Sequence, residues 1–505
     1  MGWADFSFQP AGKSNEMTIS DFNAILPLLV LSGWACALLL VDLWIPKDRK
    51  AITAVLTICG LAVTTAVLTA VALAVEGEPI FAFGGMVTFD GFTVFLNGVV
   101  LLVGATAILL ALNYLKQANI ERGEFYSLLL FSIVGMMMMA SASDLIVVFL
   151  ALETLSIPLY VLSGFARPRL DSEESALKYF LLGAFSSGFL VYGIALTYGA
   201  TMTTNLAQIT AAVAANESLV KNPLLLAGMA LILVGLGFKV AAVPFHMWTP
   251  DVYEGAPTVV TAFMSVGAKI GGFAALIRVF FTAFPSLAAD WVPVVAVISA
   301  LTMILGNVAA IAQSSIKRML AYSSIAHAGY ILMAAVAGGT GSLAGFSASA
   351  AMFYLLGYAI MNLGAWAVVI AVEKDGQAGK VDDFAGLGAT RAGLALAMTL
   401  FMLSLTGLPP TVGFVGKFYV FNAAIQAGYL WLALVGVITS LISAFYYLRI
   451  VMAMWMKPGE GAATTPLALN WVVSLTAVAT FILGIVPGPL MAAAERALLA
   501  LFAKA

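Results

Sequence analysis

Long apolar runs, separated by short polar or Gly/Pro-rich breaks, recur along almost the whole chain. A helix needs about 20 mostly apolar residues to cross the roughly 30 Å of a bilayer core. Of the 505 residues, 62% are hydrophobic and only 10% are charged, whereas soluble domains carry about 25% charged residues. The sequence therefore predicts an all-α polytopic membrane protein.

Fourteen transmembrane helices are predicted from these runs. They cover residues 23–45, 52–75, 90–113, 125–142, 144–165, 175–199, 223–244, 257–283, 291–313, 316–337, 347–371, 394–427, 430–455 and 466–490. The breaks near 142–144 and 313–316 are the shortest, so the two divisions there depend on the fewest residues.

Lysine and arginine are distributed unequally between the two sets of loops. Loops that follow odd-numbered spans, with their flanks, carry fourteen of them, and the other face carries four. Because cytoplasmic loops are enriched in these residues, odd-numbered loops are predicted to be cytoplasmic. An even number of spans then leaves both termini on the periplasmic side.

Five further basic residues fall inside predicted spans. Arg278 is five residues from a span end, where snorkelling to the interface is the favoured interpretation. Lys178, Lys239, Lys269 and Lys417 lie deeper. A charge at the bilayer centre costs about 2.5–3.5 kcal/mol on insertion scales, so these four lysines are candidate functional groups.

Glu153 lies nine residues into span five and is the acid that could pair with one of these lysines. Burial disfavours the charged forms of both groups, whereas proximity favours them. The protonation of a pair formed with Lys239 would therefore depend on their separation. The alternative is a neutral carboxyl that is hydrogen-bonded for structural reasons.

Two spans carry helix-breaking residues beside a lysine. Residues 238–257 contain Lys239, Pro244 and Pro250, and residues 404–418 contain Pro409 and Pro410 ahead of Lys417. Interrupted helices at membrane depth occur where protein or a water-filled cavity satisfies the freed backbone groups. A kinked helix explains either segment alone, but the matching pair favours a proton or ion path.

The broken spans, seven and twelve, are each the fourth of five in spans 4–8 and 9–13. Because five is odd, the second set enters from the opposite face, as in transporters with inverted repeats. The predicted division is an N-terminal three-helix segment (1–124), a first five-helix repeat (125–283), a second five-helix repeat (291–455) and a C-terminal helix with its tail (466–505).

Other chemistries have little support in the sequence. No GxGxxG or Walker motif is present, and Cys36 and Cys59 are interpreted as small core residues rather than metal ligands. The methionines at 136–139 indicate lipid-facing or interhelical packing. His246, in the first break, and His327, in span ten, are possible proton relays, because intramembrane histidines often serve in relays.

Several motifs resemble the subunit N branch of the antiporter-like membrane subunits of bacterial proton-pumping NADH:quinone oxidoreductase, complex I. They are LETLSIPLY at 152–160, ESALKYF at 174–180, FKVAAVPFHMWTPDVYEGAP at 238–257, KRMLAYSS at 317–324 and GLPPTVGFVGKF at 407–418. Subunits M and L usually have leucine where this chain has Thr249. Val259 departs from the family pattern, in which proline is expected.

The resemblance implies a role for each buried charge. Glu153 and Lys239 would form the ion pair, and Lys178 would tune it. Lys269 would be the central lysine of a hydrated axis, and Lys417 the terminal lysine near the output side. NADH, FMN, iron-sulfur clusters and quinone would belong to partner membrane and redox subunits, with no cofactor or metal in this chain. The location would be the bacterial inner membrane.

Two other functions remain open from the residues alone. A subunit of a multisubunit cation/proton antiporter would share the buried charges without a redox drive. A structural membrane scaffold would carry the same charges without using them.

Overall fold

The computed structural model describes residues 18–75, 78–373 and 379–502, with side chains as far as residue 497. Three lysines that entered the orientation prediction, Lys13, Lys374 and Lys504, lie outside the described residues. In chain order, the elements are α1 (Ile19–Val41), α2 (Ala51–Ala74), β1 (Ile80–Ala82), β2 (Val87–Phe89), α3 (Gly91–Gln117), α4 (Glu124–Ser141), α5 (Leu145–Ser163), α6 (Leu170–Thr201), α7 (Leu206–Ala215), α8 (Pro223–Val240), α9 (Trp248–Gly255), α10 (Thr258–Thr282), α11 (Ala288–Ile311), α12 (Ile316–Gly338), α13 (Ala344–Val372), α14 (Leu387–Thr390), α15 (Ala392–Thr406), α16 (Val412–Gln426), α17 (Leu430–Met456), α18 (Leu467–Ile485) and α19 (Gly488–Phe502).

Thirteen helices of the described residues are long and apolar enough to cross a membrane. Helices α15 and α16, with 15 residues each, form the two halves of one further, broken span. The prediction of an all-α polytopic membrane protein with about fourteen spans is confirmed. The division into four domains stays a prediction.

Side-chain caps explain why the two shortest predicted breaks separate distinct helices. Asp144 precedes α5 and accepts a hydrogen bond from the Ile146 amide at 2.8 Å. Ser315 precedes α12 and accepts one from the Arg318 amide at 3.3 Å. Such caps satisfy amides that have no partner within the helix, so a new helix begins after each short break.

Two features lie outside the sequence prediction. Strands β1 and β2 form an antiparallel hairpin in which Ile80 pairs with Phe89. Helix α19 packs against α13 and α3, where only a C-terminal tail was expected. The strands have three residues each, too few for a period of two to stand out.

The centre of the molecule consists of α10, α12 and α13. Almost every residue of these three helices is buried, and α10 packs against α13, α12, α3 and α4. A helix that is apolar all round is typical of such a central position. Polar groups on α10 and α13 are therefore enclosed by other helices of this chain.

Both predicted broken helices are interrupted in the structure. Helix α8 ends at Val240, and the next residue, Ala241, is left-handed with φ 63°. Helix α15 ends at Thr406 and is followed by Gly407 with φ 91°. Pro244 lies in the first break, and Pro409 and Pro410 lie in the second. Pro250 instead lies in the first turn of α9, where a helix tolerates proline.

The cysteine prediction was wrong. Cys36 and Cys59 are both exposed on the outer helices α1 and α2, because each falls on the helix face turned away from the bundle. By contrast, Met136, Met137 and Met139 are fully buried, so the methionine run serves interhelical packing.

Candidate functional site

Lys239 lies in the last turn of α8 and is 2% exposed. Its Nζ donates hydrogen bonds to Ser156 Oγ at 2.8 Å and to Tyr179 Oη at 3.3 Å. It also stands 5.5 Å from the centre of the Tyr179 ring. Helices α5, α6 and α8 therefore meet at Lys239. Its amine is bound by two hydroxyl groups.

Glu153 lies on the same helix as Ser156, one turn before it. It accepts a short hydrogen bond from Ser187 Oγ of α6, and its charge acts on Lys239. No ion pair within 4 Å joins Glu153 to Lys239 in the described part of the chain. The structure thus brings the two predicted partners close together but leaves them unpaired.

Glu153 also lines a cleft of about 500 Å³ on the outer side of α5 and α6. Phe149 and Tyr192 form part of its wall, and Ser187 lies beside the carboxyl. The carboxyl end of the candidate site is therefore open toward the side of the bundle, whereas the lysines lie inside it.

Lys269 and Lys417 make equivalent contacts at the two breaks. Lys269 Nζ donates to the Val240 carbonyl at 2.9 Å, at the end of α8. Lys417 Nζ donates to the Thr406 carbonyl at 2.8 Å, at the end of α15, and to Ser440 Oγ at 3.0 Å. A cation at a helix C-terminus satisfies unpaired carbonyls and interacts favourably with the helix dipole. Both amines bind the last carbonyl of a broken helix's first half, so the contacts of Lys417 resemble those of Lys269 more than those of Lys239.

His327 of α12 is buried, with 1% of its surface exposed. Its Nδ1 is 2.9 Å from Tyr354 Oη, and its Nε2 is 3.3 Å from Tyr447 Oη. Tyr447 also bonds to Ser323. Electrostatic interaction with both Lys269 and Lys417 reaches this ring. His327 therefore belongs to a buried, hydrogen-bonded cluster that interacts electrostatically with both lysines, which is compatible with a relay.

His246 stands apart from this network. It is partly buried in the break after α8, and its Nδ1 is buried without a hydrogen-bond partner among the described residues. Among the described residues, no hydrogen bond joins His246 to Lys239, Lys269 or Lys417. Its role as a relay stays a prediction.

Lys178 is not part of the Glu153 and Lys239 contact. Its Nζ pairs with Asp251 at 2.8 Å and with Glu174 at 2.7 Å, and its side chain is 40% exposed. Asp251 also pairs with Arg318 at 2.7 Å. These ion pairs tie α6 to α9 and α12, so Lys178 can reach Lys239 only through intervening groups.

The snorkelling interpretation of Arg278 was wrong. Its guanidinium is 2% exposed and forms two hydrogen bonds of 2.9 Å with the Asp90 carboxylate. It also donates to the Ala140 carbonyl at 2.9 Å. Asp90 caps the start of α3 far away in sequence, and nothing in the local pattern links the two residues.

Sequence reasoning also missed a cluster at the odd-loop face. Lys317, counted with the basic residues of the odd-numbered loops and their flanks, is 4% exposed and donates to the Ala256 carbonyl at 2.6 Å. Glu373, directly after α13, accepts a hydrogen bond from Tyr114 Oη at 3.2 Å. A carboxylate at the end of an apolar run was the available signal, but its partners come from distant helices.

The described residues contain no group of three or more His, Cys, Asp or Glu side chains that could hold a metal ion. The candidate site is instead a row of buried amines, hydroxyls, a carboxyl and an imidazole. All of these groups can bind and release a proton, so the arrangement is suited to proton transfer.

Residues 142–443 match the family model described as NADH:quinone oxidoreductase/Mrp antiporter, TM. A Chloroflexus aggregans protein named NADH-quinone oxidoreductase subunit N is 49% identical over 95% of this chain and 98% of that protein. The chain belongs to this family. Among its members, the similarity to subunit N covers nearly the full length.

Solved structures of the family have the same fold. A chain of respiratory complex I from Thermus thermophilus aligns with a TM-score of 0.78 and 37% identity, covering 93% of this chain and 99% of that one. A chain of the Mrp complex from Dietzia sp. aligns with a TM-score of 0.82 and 22% identity, covering 96% and 98%. At that identity, the second likeness concerns the fold alone.

Proposed function

We propose that this chain is a proton-translocating, non-redox membrane subunit of a bacterial NADH:quinone oxidoreductase. Protons pass along Glu153, Lys239, Lys269, His327 and Lys417, while partner subunits carry out the redox chemistry. NADH, FMN, iron-sulfur clusters and quinone belong to those partners, which include the neighbouring antiporter-like and small membrane subunits. The complex lies in the inner membrane, and both termini of this chain are periplasmic.

One observation carries the proposal. Lys239, Lys269 and Lys417 are at most 4% exposed, and their amines are held by hydroxyl and carbonyl oxygens. No carboxylate lies within 4 Å of these amines in the part of the chain that the structure describes. A buried charge without a counter-charge is costly, whereas these same partners also suit a neutral amine, so each lysine can gain and lose a proton.

The contacts around Glu153 support a switching role for the first pair. The carboxyl is held by Ser187, and the amine of Lys239 is held by Ser156 and Tyr179. The proposed switch exchanges these hydroxyl contacts for a direct ion pair between the two side chains. Closing the pair favours the charged amine, and opening it favours release of the proton toward Lys269.

Replacing Lys239 or Glu153 by alanine tests the proposal. In vesicles that contain the assembled complex, we expect each variant to lower NADH-driven acidification by about tenfold or more, the effect expected when one proton-transfer group is lost. Lys221→Ala, in an exposed loop, is the matched control and should leave acidification unchanged. Normal pumping by both assembled site variants would contradict the proposal.

A cation/proton antiporter would give a different pattern. Sodium-dependent growth rescue by this chain and its partners, without any NADH:quinone activity, would favour antiport. Loss of NADH-driven pumping with no sodium phenotype would favour the redox-coupled complex.

A further inference from the structure

A row of buried polar groups follows the contact between α10 and α13. Thr258, Thr261, Ser265 and Lys269 recur every three or four residues on α10, so they share one face of that helix. Ser265 Oγ accepts a 2.8 Å hydrogen bond from Asn362 Nδ2 of α13. At about 1.5 Å per residue, the row rises roughly 16 Å from Thr258 to Lys269.

Helix α13 carries the matching half of the row. Asn362, Trp366 and Glu373 fall on one face, since eleven residues are close to three turns. Asn362 is 1% exposed and Trp366 is 0% exposed. Asn362 Oδ1, Trp366 Nε1, Glu373 Oε2 and Thr258 Oγ1 are all buried without a hydrogen-bond partner among the described residues. Buried polar atoms are rarely left in this way, and a proton or water path is one reason for it.

Glu373 is the acidic end of this row, on the same face of the bundle as the odd-numbered loops. Tyr114 Oη donates to Glu373 Oε1 and accepts a 3.0 Å hydrogen bond from the Thr258 amide. The hydroxyl of Thr258 lies near the same carboxyl but does not meet hydrogen-bond geometry. Tyr114 therefore fixes the carboxyl at the first turn of α10.

The charged groups around Glu373 come from several elements. Lys317 of α12 and Arg169, which precedes α6, interact electrostatically with its carboxyl. Lys317 is influenced in turn by Asp171 of α6 and Glu254 of α9. Burial raises the pKa of Glu373 above its ordinary value, although Lys317 opposes the rise. A raised pKa means that the carboxyl of Glu373 binds a proton more readily than an exposed carboxyl does.

We propose that Glu373 is a proton-loading group and that the polar row between α10 and α13 delivers its proton to Lys269. The carboxylate of Glu373 takes up a proton from the odd-loop face. The proton then leaves its oxygen, passes through bridging water along the hydroxyl groups of the row, where Asn362 orients the water, and binds the neutral Nζ of Lys269. The carboxylate is thereby restored, Lys269 becomes an ammonium ion, and no electron is exchanged.

This inference rests on the proposed function, because it names the group that supplies the buried lysines. The test uses the assembled complex in vesicles, with assembly checked on a native gel. Glu373→Gln keeps an acceptor for Tyr114 but cannot bind and release the proton. We expect it to lower NADH-driven acidification by about tenfold. Glu373→Asp should restore at least half of the rate, which a merely structural role for the side chain does not predict.

Two further variants keep the test decisive. Glu460→Gln, at an exposed position on the same face, should pump normally. Asn362→Leu interrupts the row halfway and should lower acidification even if Glu373→Gln fails to assemble. Normal acidification by either assembled variant, Glu373→Gln or Asn362→Leu, overturns the inference.

Lys269→Ala separates this inference from the proposed function. If Lys269→Ala abolishes pumping while Glu373→Gln pumps normally, the buried lysines carry protons that another group supplies, and only the inference fails. If Lys269→Ala also pumps normally, the proposed function fails with it.

Discussion

Buried cations in this chain have two different surroundings. Arg278 forms two hydrogen bonds with a carboxylate, whereas the hydrogen bonds described for Lys239, Lys269 and Lys417 all go to neutral oxygen atoms. A paired guanidinium stays charged and fixes structure. An amine surrounded by hydroxyls and carbonyls can change its protonation state, so the surroundings favour a structural role for Arg278 and support the proposed proton-transfer role of the three lysines.

Removing Arg278 should therefore destabilise the protein without acting on proton transfer directly. Arg278→Ala leaves the Asp90 carboxylate buried and unpaired, and we expect a loss of about 3–5 kcal/mol in the free energy of unfolding. Denaturant unfolding of the detergent-solubilised protein measures this loss. Arg391→Ala, an exposed arginine, should cost much less, and equal losses for the two variants would contradict a structural role for the buried pair.

The ion pairs of Asp251 make the stability of the protein depend on pH. Burial would raise the pKa of the Asp251 carboxyl, but hydrogen bonds from Lys178 and Arg318 outweigh this and hold the pKa below its ordinary value of 3.8. The resulting stabilisation is fully present above 3.8 and is lost as the pH falls through the lower folded-state pKa.

We expect Asp251→Asn to lower the melting temperature at pH 7 by a few degrees, on the order of 2–4 °C. The difference from the unsubstituted protein should shrink below about pH 4. Thermal unfolding at pH 7 and pH 3 measures it. Asp48→Asn, whose side chain is 78% exposed, is the control, and a difference for Asp251→Asn that does not change with pH would refute the assignment.

Residue types at membrane depth were predictable, but their partners were not. Charge inside an apolar run marked Glu153, Lys239, Lys269 and Lys417, all of which line or enter the candidate site. Lys178 and the pair of Arg278 with Asp90 could not be assigned, because their contacts join helices that are distant in sequence. Linear spacing contains no information on such long-range pairing.

The broken helices are defined by how each first half ends. Ala241 and Gly407 both adopt left-handed backbone conformations, and a lysine amine binds the carbonyls of the turn before each one. Proline and glycine in the sequence were enough to predict the two breaks. The lysine caps were not predictable, because Lys269 reaches the first break from a different helix.

A substitution at Gly407 tests whether the second helix break holds Lys417 in place. The φ of 91° at Gly407 disfavours a side chain, and an added Cβ would lie 2.8 Å from Lys417 Cδ. We expect Gly407→Ala to cost about 1–3 kcal/mol in stability and to slow NADH-driven acidification by displacing Lys417. Unfolding and acidification measurements on the same preparation would show both effects.

Gly393, in the helix that ends just before Gly407, offers the matched control. It has no heavy atom within 4 Å of an added Cβ and no positive φ. Gly393→Ala should therefore leave stability and acidification unchanged, or increase stability slightly, since alanine favours a helix over glycine. If both glycine variants behaved alike, the strained turn at Gly407 would have no part in holding Lys417.

At the scale of the whole molecule, an even number of spans returns the chain to the side of the membrane from which it started. The described residues contain thirteen long helices and one broken helix, so the start of α1 and the end of α18 are expected on the same side. Apolar length was enough to predict this count, because almost every helix long enough to cross the bilayer is also apolar. Short elements such as the β-hairpin could not be predicted, because apolar length does not mark them.

Orientation can be tested with single cysteines at exposed loop positions on opposite faces. Ser218 lies in the loop before α8, and Glu460 lies in the loop after α17. The excess of lysine and arginine in odd-numbered loops puts Glu460 in the cytoplasm and Ser218 outside. In intact cells without an outer-membrane barrier, a membrane-impermeant maleimide should therefore label Ser218→Cys at once and Glu460→Cys only after permeabilisation.

The native cysteines suit this experiment. Cys36 and Cys59 lie inside membrane-spanning helices α1 and α2 rather than in loops, so we expect little labelling of either by an impermeant reagent. Labelling of the unsubstituted protein supplies the background. The opposite pattern, with Glu460→Cys labelled first, would reverse the orientation, and it would also turn the face that carries Glu373 from proton uptake to proton release.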